Sequence, residues 1–222
     1  MKVITKNFYE DFDKQDSKGM WLRCWNEPTG IVNQRESHHT LSGARWDQME
    51  KRCTHGSVQQ VRAKSYEGCL NLFSDFQEFV EWSRTEYGYC LRDAGTGKMW
   101  SLDKDLLSFG KIYSPNTCVF VPNKVNIFLA YKHTKLGELP IGVYFNKSRG
   151  KYVGQIKING KAYNLGGYSE PLEAHRAWQV AKIEAARILM DEFVDHAKLA
   201  SGLASRIELI KQDYEQEKVT TC

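Results

Sequence analysis

No Cys-x-x-Cys pair occurs in this chain, although it holds six cysteines. Cys24, Cys53, Cys69, Cys90, Cys118 and Cys222 stand far apart, which argues against a zinc ribbon or zinc knuckle. A mixed site from Cys53, His55, Cys69 and Cys90 is the zinc arrangement left to consider. The simpler reading packs the thiols as small apolar groups in a reducing cytosol. Also missing are Gly-x-x-x-x-Gly-Lys-Ser/Thr, His-Glu-x-x-His and Gly-x-Ser-x-Gly, so the common ATPase, zinc-protease and hydrolase readings lack support. No apolar run is long enough to span a bilayer, so no membrane partner is expected. Lys2, Lys6, Glu10, Asp11 and Asp13 interrupt the start of the chain, so no signal peptide is expected and the expected place is the cytoplasm. Internal repeats and low-complexity tracts are absent too.

What is present suits one large domain or two small ones: 222 residues, 41% hydrophobic and 12% aromatic. Met20-Trp21-Leu22-Arg23-Cys24-Trp25 suggests a short buried strand, with a turn at Pro28-Thr29-Gly30. Trp46, Met49 and Cys53 fall on one face of a helix that Ser42 is placed to cap. A second helix is expected from Ser74, with Gln77 completing a capping box, Phe76, Phe79 and Val80 on its inner side, and Gly88 as its stop. A strand end at Trp100–Asp105, a turn at Ser108–Gly110, a strand at Cys118–Val121 and a helix after Pro122 follow. The polar stretch Tyr131–Gly137 is the expected boundary between units.

The last third is the most legible. Ile141–Phe145, Lys151–Ile158 and Lys161–Leu165 read as three strands, and Asn159-Gly160 is a strong hairpin turn signal. Gly166-Gly167 releases the chain, Ser169 caps the next helix, and Pro171 sits in its first turn. Leu203, Ile207, Ile210 and Tyr214 mark a final helix after Gly202, packed back or paired with a partner. Between residues 131 and 168 lie Lys132, Lys135, Lys147, Arg149, Lys151, Lys157 and Lys161 against the single acid Glu138. That local excess of +6 exceeds the +4 of the whole chain, as expected where phosphates are contacted. A merely solvated basic face is the alternative. Alternation puts Tyr152, Gly154, Ile156 and Ile158 on one face of the middle strand, and Lys151, Val153, Gln155 and Lys157 on the other. Ala174, Ala177, Ala181 and Ala185 let a helix lie close over the first face near Gly154. The second face then stays open, on a sheet shaped to enter a major groove.

The run Gly142-Val-Tyr, Gly150-Lys-Tyr-Val-Gly-Gln-Ile-Lys157, Asn164-Leu-Gly-Gly-Tyr168 and Glu173-Ala-His-Arg-Ala-Trp178 resembles the APETALA-type domain of plant ethylene-response factors. Phage and bacterial homing endonucleases carry similar domains. The resemblance covers residues 138–192 and implies double-stranded DNA as partner. Its base-reading positions fall on Tyr144, Asn146, Gln155, Lys157, Ala162 and Asn164; Lys147, Arg149 and Lys151 complete the expected DNA-binding set. Several arginines and a tryptophan of that family are replaced here, which implies a different target from the plant one.

Residues 43–130 resemble a second group, the HNH-like endonucleases of phages. The resemblance rests on Trp46-x-x-Met-x-x-x-Cys53, Tyr66-x-Gly-Cys69, Phe76-x-x-Phe79-x-x-Trp82, Ser101-Leu-Asp-Lys104 and Tyr113-Ser-Pro-Asn-Thr-Cys118. It implies a ββα layout, one divalent ion (Mg²⁺ or Mn²⁺) on Asp103 with Asn116 or Thr117, and catalytic positions at Asp103, Lys104 and Asn126. Lys104 stands where such nucleases have histidine, and an ammonium takes no proton from water unless its pKa falls several units from about 10.4. Three readings follow. The base comes from His133 or the His38–His39 pair; or the fold is kept for DNA contact without cleavage; or Asp103 and Asp105 flank a turn beside Lys104 and Lys111.

The expected architecture is therefore α+β. An HNH-like ββα module (43–130) follows an N-terminal extension (1–42). It is linked to a three-stranded antiparallel sheet packed on one helix (138–192), and a helical extension (193–222) ends the chain. The expected function is DNA binding in the manner of phage homing endonucleases, with DNA nicking or the binding and redirecting of a host protein as alternatives. For a phage-encoded chain the compartment would be the host cytoplasm.

Overall fold

The computed structural model describes residues 41–62, 66–93, 95–108, 110–129 and 139–221. The expected strand at 20–25, the turn at 28–30, the junction at 131–137, and His38, His39, Lys132, His133, Lys135 and Glu138 lie outside them. The described residues are of mixed helix and strand, and they divide into two compact units between Pro122 and Asn123.

The first unit runs α1 (Leu41–Cys53), α2 (Val58–Arg62), β1 (Leu70–Asn71), α3 (Phe76–Thr85), β2 (Ser101–Asp103), α4 (Asp105–Ser108), β3 (Ile112–Tyr113) and β4 (Val119–Val121). Its core holds Met49, Phe73, Phe76, Phe79, Val80 and Tyr113, with Trp46 and Cys53 packed against it, as the helical spacing requires. Both helix starts differ from expectation. Ser42 is a buried residue inside α1, and its hydroxyl pairs with the Tyr89 hydroxyl. The cap of α3 is Asp75, which accepts from the Glu78 N–H at 2.9 Å, while Ser74 bonds the Glu78 carboxylate. Two cap-competent residues in a row leave the choice to packing, and the core takes Phe76 as the first helical residue. The helix stops at Thr85, before Gly88.

β2 pairs antiparallel with β4, Ser101 opposite Val121 and Asp103 opposite Val119, and β1 pairs parallel with β3. Arg45 is buried here because its guanidinium reaches two carbonyls, Tyr89 O at 2.6 Å and Trp100 O at 2.8 Å, and lies over the Phe120 ring.

The second unit holds α5 (Asn123–Leu129), β5 (Val143–Asn146), β6 (Lys151–Ile158), β7 (Lys161–Tyr168), α6 (Pro171–Glu192) and α7 (Ala197–Glu215). α5 is tied into it by Lys182 Nζ on the Phe128 carbonyl and by the Lys124–Glu192 ion pair. The strands form one antiparallel sheet in the order β5-β6-β7. Asn159 (φ +50°) and Gly160 (φ +80°) supply the two positive φ angles the expected hairpin turn needs. β7 does not end at Gly166-Gly167. It continues to Tyr168 through a bulge, where Leu165 and Gly166 oppose the single residue Gly154.

α6 covers one face of this sheet, and Pro171 does lie in its first turn. Its cap is Glu170, whose N–H donates to the Glu173 carboxylate at 3.3 Å, and not Ser169. Gly154 faces the Ala174 carbonyl so closely that a Cβ there would fall 2.8 Å from the oxygen. Ala174, not Ala177 or Ala181, makes this contact; the other two are only half-buried. α7 begins at Ala197, before Gly202, and packs back on α6 through Leu199, Leu203, Ile207 and Ile210.

Candidate nucleic-acid interface

Cross-strand partners share a face of a sheet, so the register sorts the basic residues. Tyr144 lies opposite Val153, Asn146 opposite Lys151, Gln155 opposite Asn164 and Lys157 opposite Ala162. Gly154 and Ile156 point to α6, which leaves this set on the uncovered side. Lys151, Gln155, Lys157, Ala162 and Asn164 are exposed, Tyr144 is 37% exposed and Asn146 is half-buried. Lys147 and Arg149 are exposed in the turn between β5 and β6. Val153 departs from the alternation, being buried although its pairing puts it on the outer side. Its same-face neighbours in the register are the longer Tyr144, Lys151 and Gln155.

Two hydrogen-bond patterns shape this face. The Asn146 carbonyl oxygen accepts from the Ser148 hydroxyl at 2.8 Å and from the Arg149 N–H at 3.2 Å. The Asn164 oxygen accepts from the Gly166 N–H at 2.8 Å. Lys151 is oriented by Ser169, Nζ to Oγ 3.0 Å, a role missed by reading Ser169 as a helix cap. The pairing of Tyr152 with Tyr168 would have pointed to it, because it carries Ser169 to the Lys151 end of β6. No acidic residue occurs between Leu139 and Ser169, so no carboxylate of that stretch opposes the cations of the face.

In the first unit, Asp103 and Lys104 sit together at the start of α4. Asp103 is buried, and its Oδ1 accepts from the N–H groups of Asp105 (3.0 Å) and Leu106 (2.8 Å), capping the short helix. Burial pushes its carboxyl above the ordinary range, against the pull of those N–H groups. Lys104 is 4% exposed and pairs with Asp105, with Gly110 O at 3.2 Å. This donor set does not suit a divalent cation, which needs free carboxylate oxygens and no competing ammonium. Asn116 is exposed in the turn after Ser114, and Thr117 donates to Ile112 O at 2.7 Å to close that turn. Asn126 belongs to α5, in the other unit.

Cys53 lines an open cavity with Cys69, Glu50 and Asn71, and burial pushes the Cys53 and Cys118 thiols up to about 12. A thiol held protonated is a poor nucleophile at neutral pH. No group of three or more His, Cys, Asp or Glu among the described residues is arranged to hold a metal ion, Cys53, His55, Cys69 and Cys90 included. No described helix is long and apolar enough to cross a membrane.

No protein-family model, curated protein or solved structure matches the chain.

Proposed function

We propose that this protein binds double-stranded DNA through the uncovered face of β5-β6-β7, as a protein of the phage HNH-like homing-endonuclease type whose nuclease segment does not cleave. The observation that carries this reading is the register. It gathers Lys151, Gln155, Lys157 and Asn164 on one open face, in a stretch where the basic excess of the chain is concentrated. Cations so placed neutralise phosphates, and amides beside them reach base edges in a major groove. Cleavage through Asp103 gains no support from a carboxylate that caps a helix beside Lys104. The compartment in this reading is the cytoplasm, the host's if a phage encodes the chain.

Fluorescence anisotropy with a duplex, repeated across salt concentrations, tests it. Replacing Lys151 and Lys157 with alanine should weaken binding and flatten the dependence of log affinity on log salt. The slope should fall by about 0.9 for each phosphate no longer neutralised. Unchanged affinity and slope would remove this face from the reading. A host protein that binds with equal affinity in the presence of excess duplex would favour the alternative partner.

A further inference from the structure

A face that touches DNA need not read it, and the amides decide which this one does. A carboxamide distinguishes adenine by offering its oxygen to the N6 amino group and its NH₂ to N7 at the same time. Three amides stand on the open face: Asn146, Gln155 and Asn164. Both asparagines turn their oxygens inward. Asn146 Oδ1 is taken by Ser148 and the Arg149 N–H, and Asn164 Oδ1 is turned back to the Gly166 N–H. Because the partners include backbone donors, the oxygen ends are fixed and neither amide can flip without losing its bond. What these residues offer outward is an NH₂ donor. Gln155 is exposed, and its side chain makes no hydrogen bond among the described residues, so both ends of its amide are available.

Building on the DNA-binding reading above, we propose that Gln155 is the residue that makes this face sequence-selective, pairing donor and acceptor with a single adenine. Asn146, Asn164, Lys151 and Lys157 present donors, which suit phosphate oxygens. With no carboxylate between Leu139 and Ser169, nothing on the face accepts from the cytosine amino group in the way Asp or Glu does. The preferred site therefore holds one obligatory adenine.

Selection of bound duplexes from a randomised pool gives the site of the wild type. Single-base substitutions in that site, and 7-deazaadenine in place of the adenine, are then titrated against wild type, Gln155→Ala, Gln155→Glu and Asn164→Ala. The wild type should enrich adenine at one fixed position and lose about 5- to 150-fold in affinity when that base is changed. Gln155→Ala should level the preference at that position alone, with the salt slope unchanged. Gln155→Glu should turn the preference towards cytosine. Asn164→Ala should weaken all duplexes alike. Adenine preference that survives Gln155→Ala, or disappears in Asn164→Ala, overturns the assignment. Salt-dependent binding with no base preference overturns it too, while leaving the DNA-binding reading intact. Failure of the wild type to bind any duplex overturns both.

Discussion

His175 Nε2 accepts the Thr220 N–H at 3.0 Å while Nδ1 meets Ile141 O at 2.8 Å. The Thr220 bond fixes the tautomer, because Nε2 must be bare to accept and Nδ1 must carry the proton it donates. One fully buried ring thus joins α6 to the strand-entry loop and to the segment after α7. Gln179 fastens the same segment through Lys218 O and the Thr220 hydroxyl, and Arg176 holds the last turn of α7 through Tyr214 O.

Protonation of His175 would put a donor against the Thr220 N–H. Burial lowers its pKa from the ordinary 6.5, with the Ile141 carbonyl and Asp213 pulling the other way. A depressed histidine contributes stability that is fully present above its unfolded pKa and is lost as pH falls through that value towards the folded one. Unfolding midpoints measured from about pH 8 to about pH 5 should therefore decline for the wild type below about pH 6.5. The decline should be shallower in His175→Gln, which binds no proton there. Parallel profiles for the two proteins would assign the acid sensitivity to other groups.

Gly154 is where the sheet and α6 come closest. Gly154→Ala places a methyl group 2.8 Å from the Ala174 oxygen, and helix backbone cannot swing aside as a side chain can. The expected cost is about 1–3 kcal/mol, read from denaturant unfolding with the slope unchanged. A wild-type midpoint would mean that the helix lies further from the sheet than described.

Asp103 separates a structural carboxylate from a catalytic one. Asp103→Asn keeps an oxygen to cap α4, whereas Asp103→Ala loses it, at a cost of about 0.5–2 kcal/mol. The raised carboxyl pKa means that the contribution of Asp103 to stability is greatest at low pH and declines as pH rises through the folded value. Asp103→Asn should abolish that decline and be at least as stable as wild type at neutral pH. Supercoiled DNA with Mg²⁺ or Mn²⁺ should show no more nicking than with EDTA. Robust metal-dependent nicking that is lost in Asp103→Asn would make this residue a ligand after all.

The sheet and its helix were legible because their signals are local. Two-residue alternation sorts Gln155 and Lys157 from Gly154 and Ile156, and Asn159-Gly160 dictates the turn. Helix starts were legible only to within a residue or so. Ser74 and Asp75, or Ser169 and Glu170, are rival caps, and tertiary packing chooses between them. Buried cations were not legible at all, since Arg45, Lys104 and Lys182 read as surface residues until the fold brings distant carbonyls or an acid to them. The same holds for the internal bonds of Asn146 and Asn164. The sequence shows the two amides, and only the turn and the bulge show that their oxygens are turned inward.

The bulge at Leu165 and Gly166 has a consequence for how copies of this protein meet. β7 is an edge strand, with β6 on one side and no further strand of its sheet among the described residues on the other. A regular eight-residue edge would offer a continuous ladder of N–H and C=O groups to the same strand of another molecule. The extra residue throws that ladder out of step midway, so a foreign strand in register with Lys161–Asn164 is out of register with Gly167 and Tyr168. Concentrated solutions should accordingly resist edge-to-edge aggregation, and deleting Gly166 to restore a regular strand should promote it.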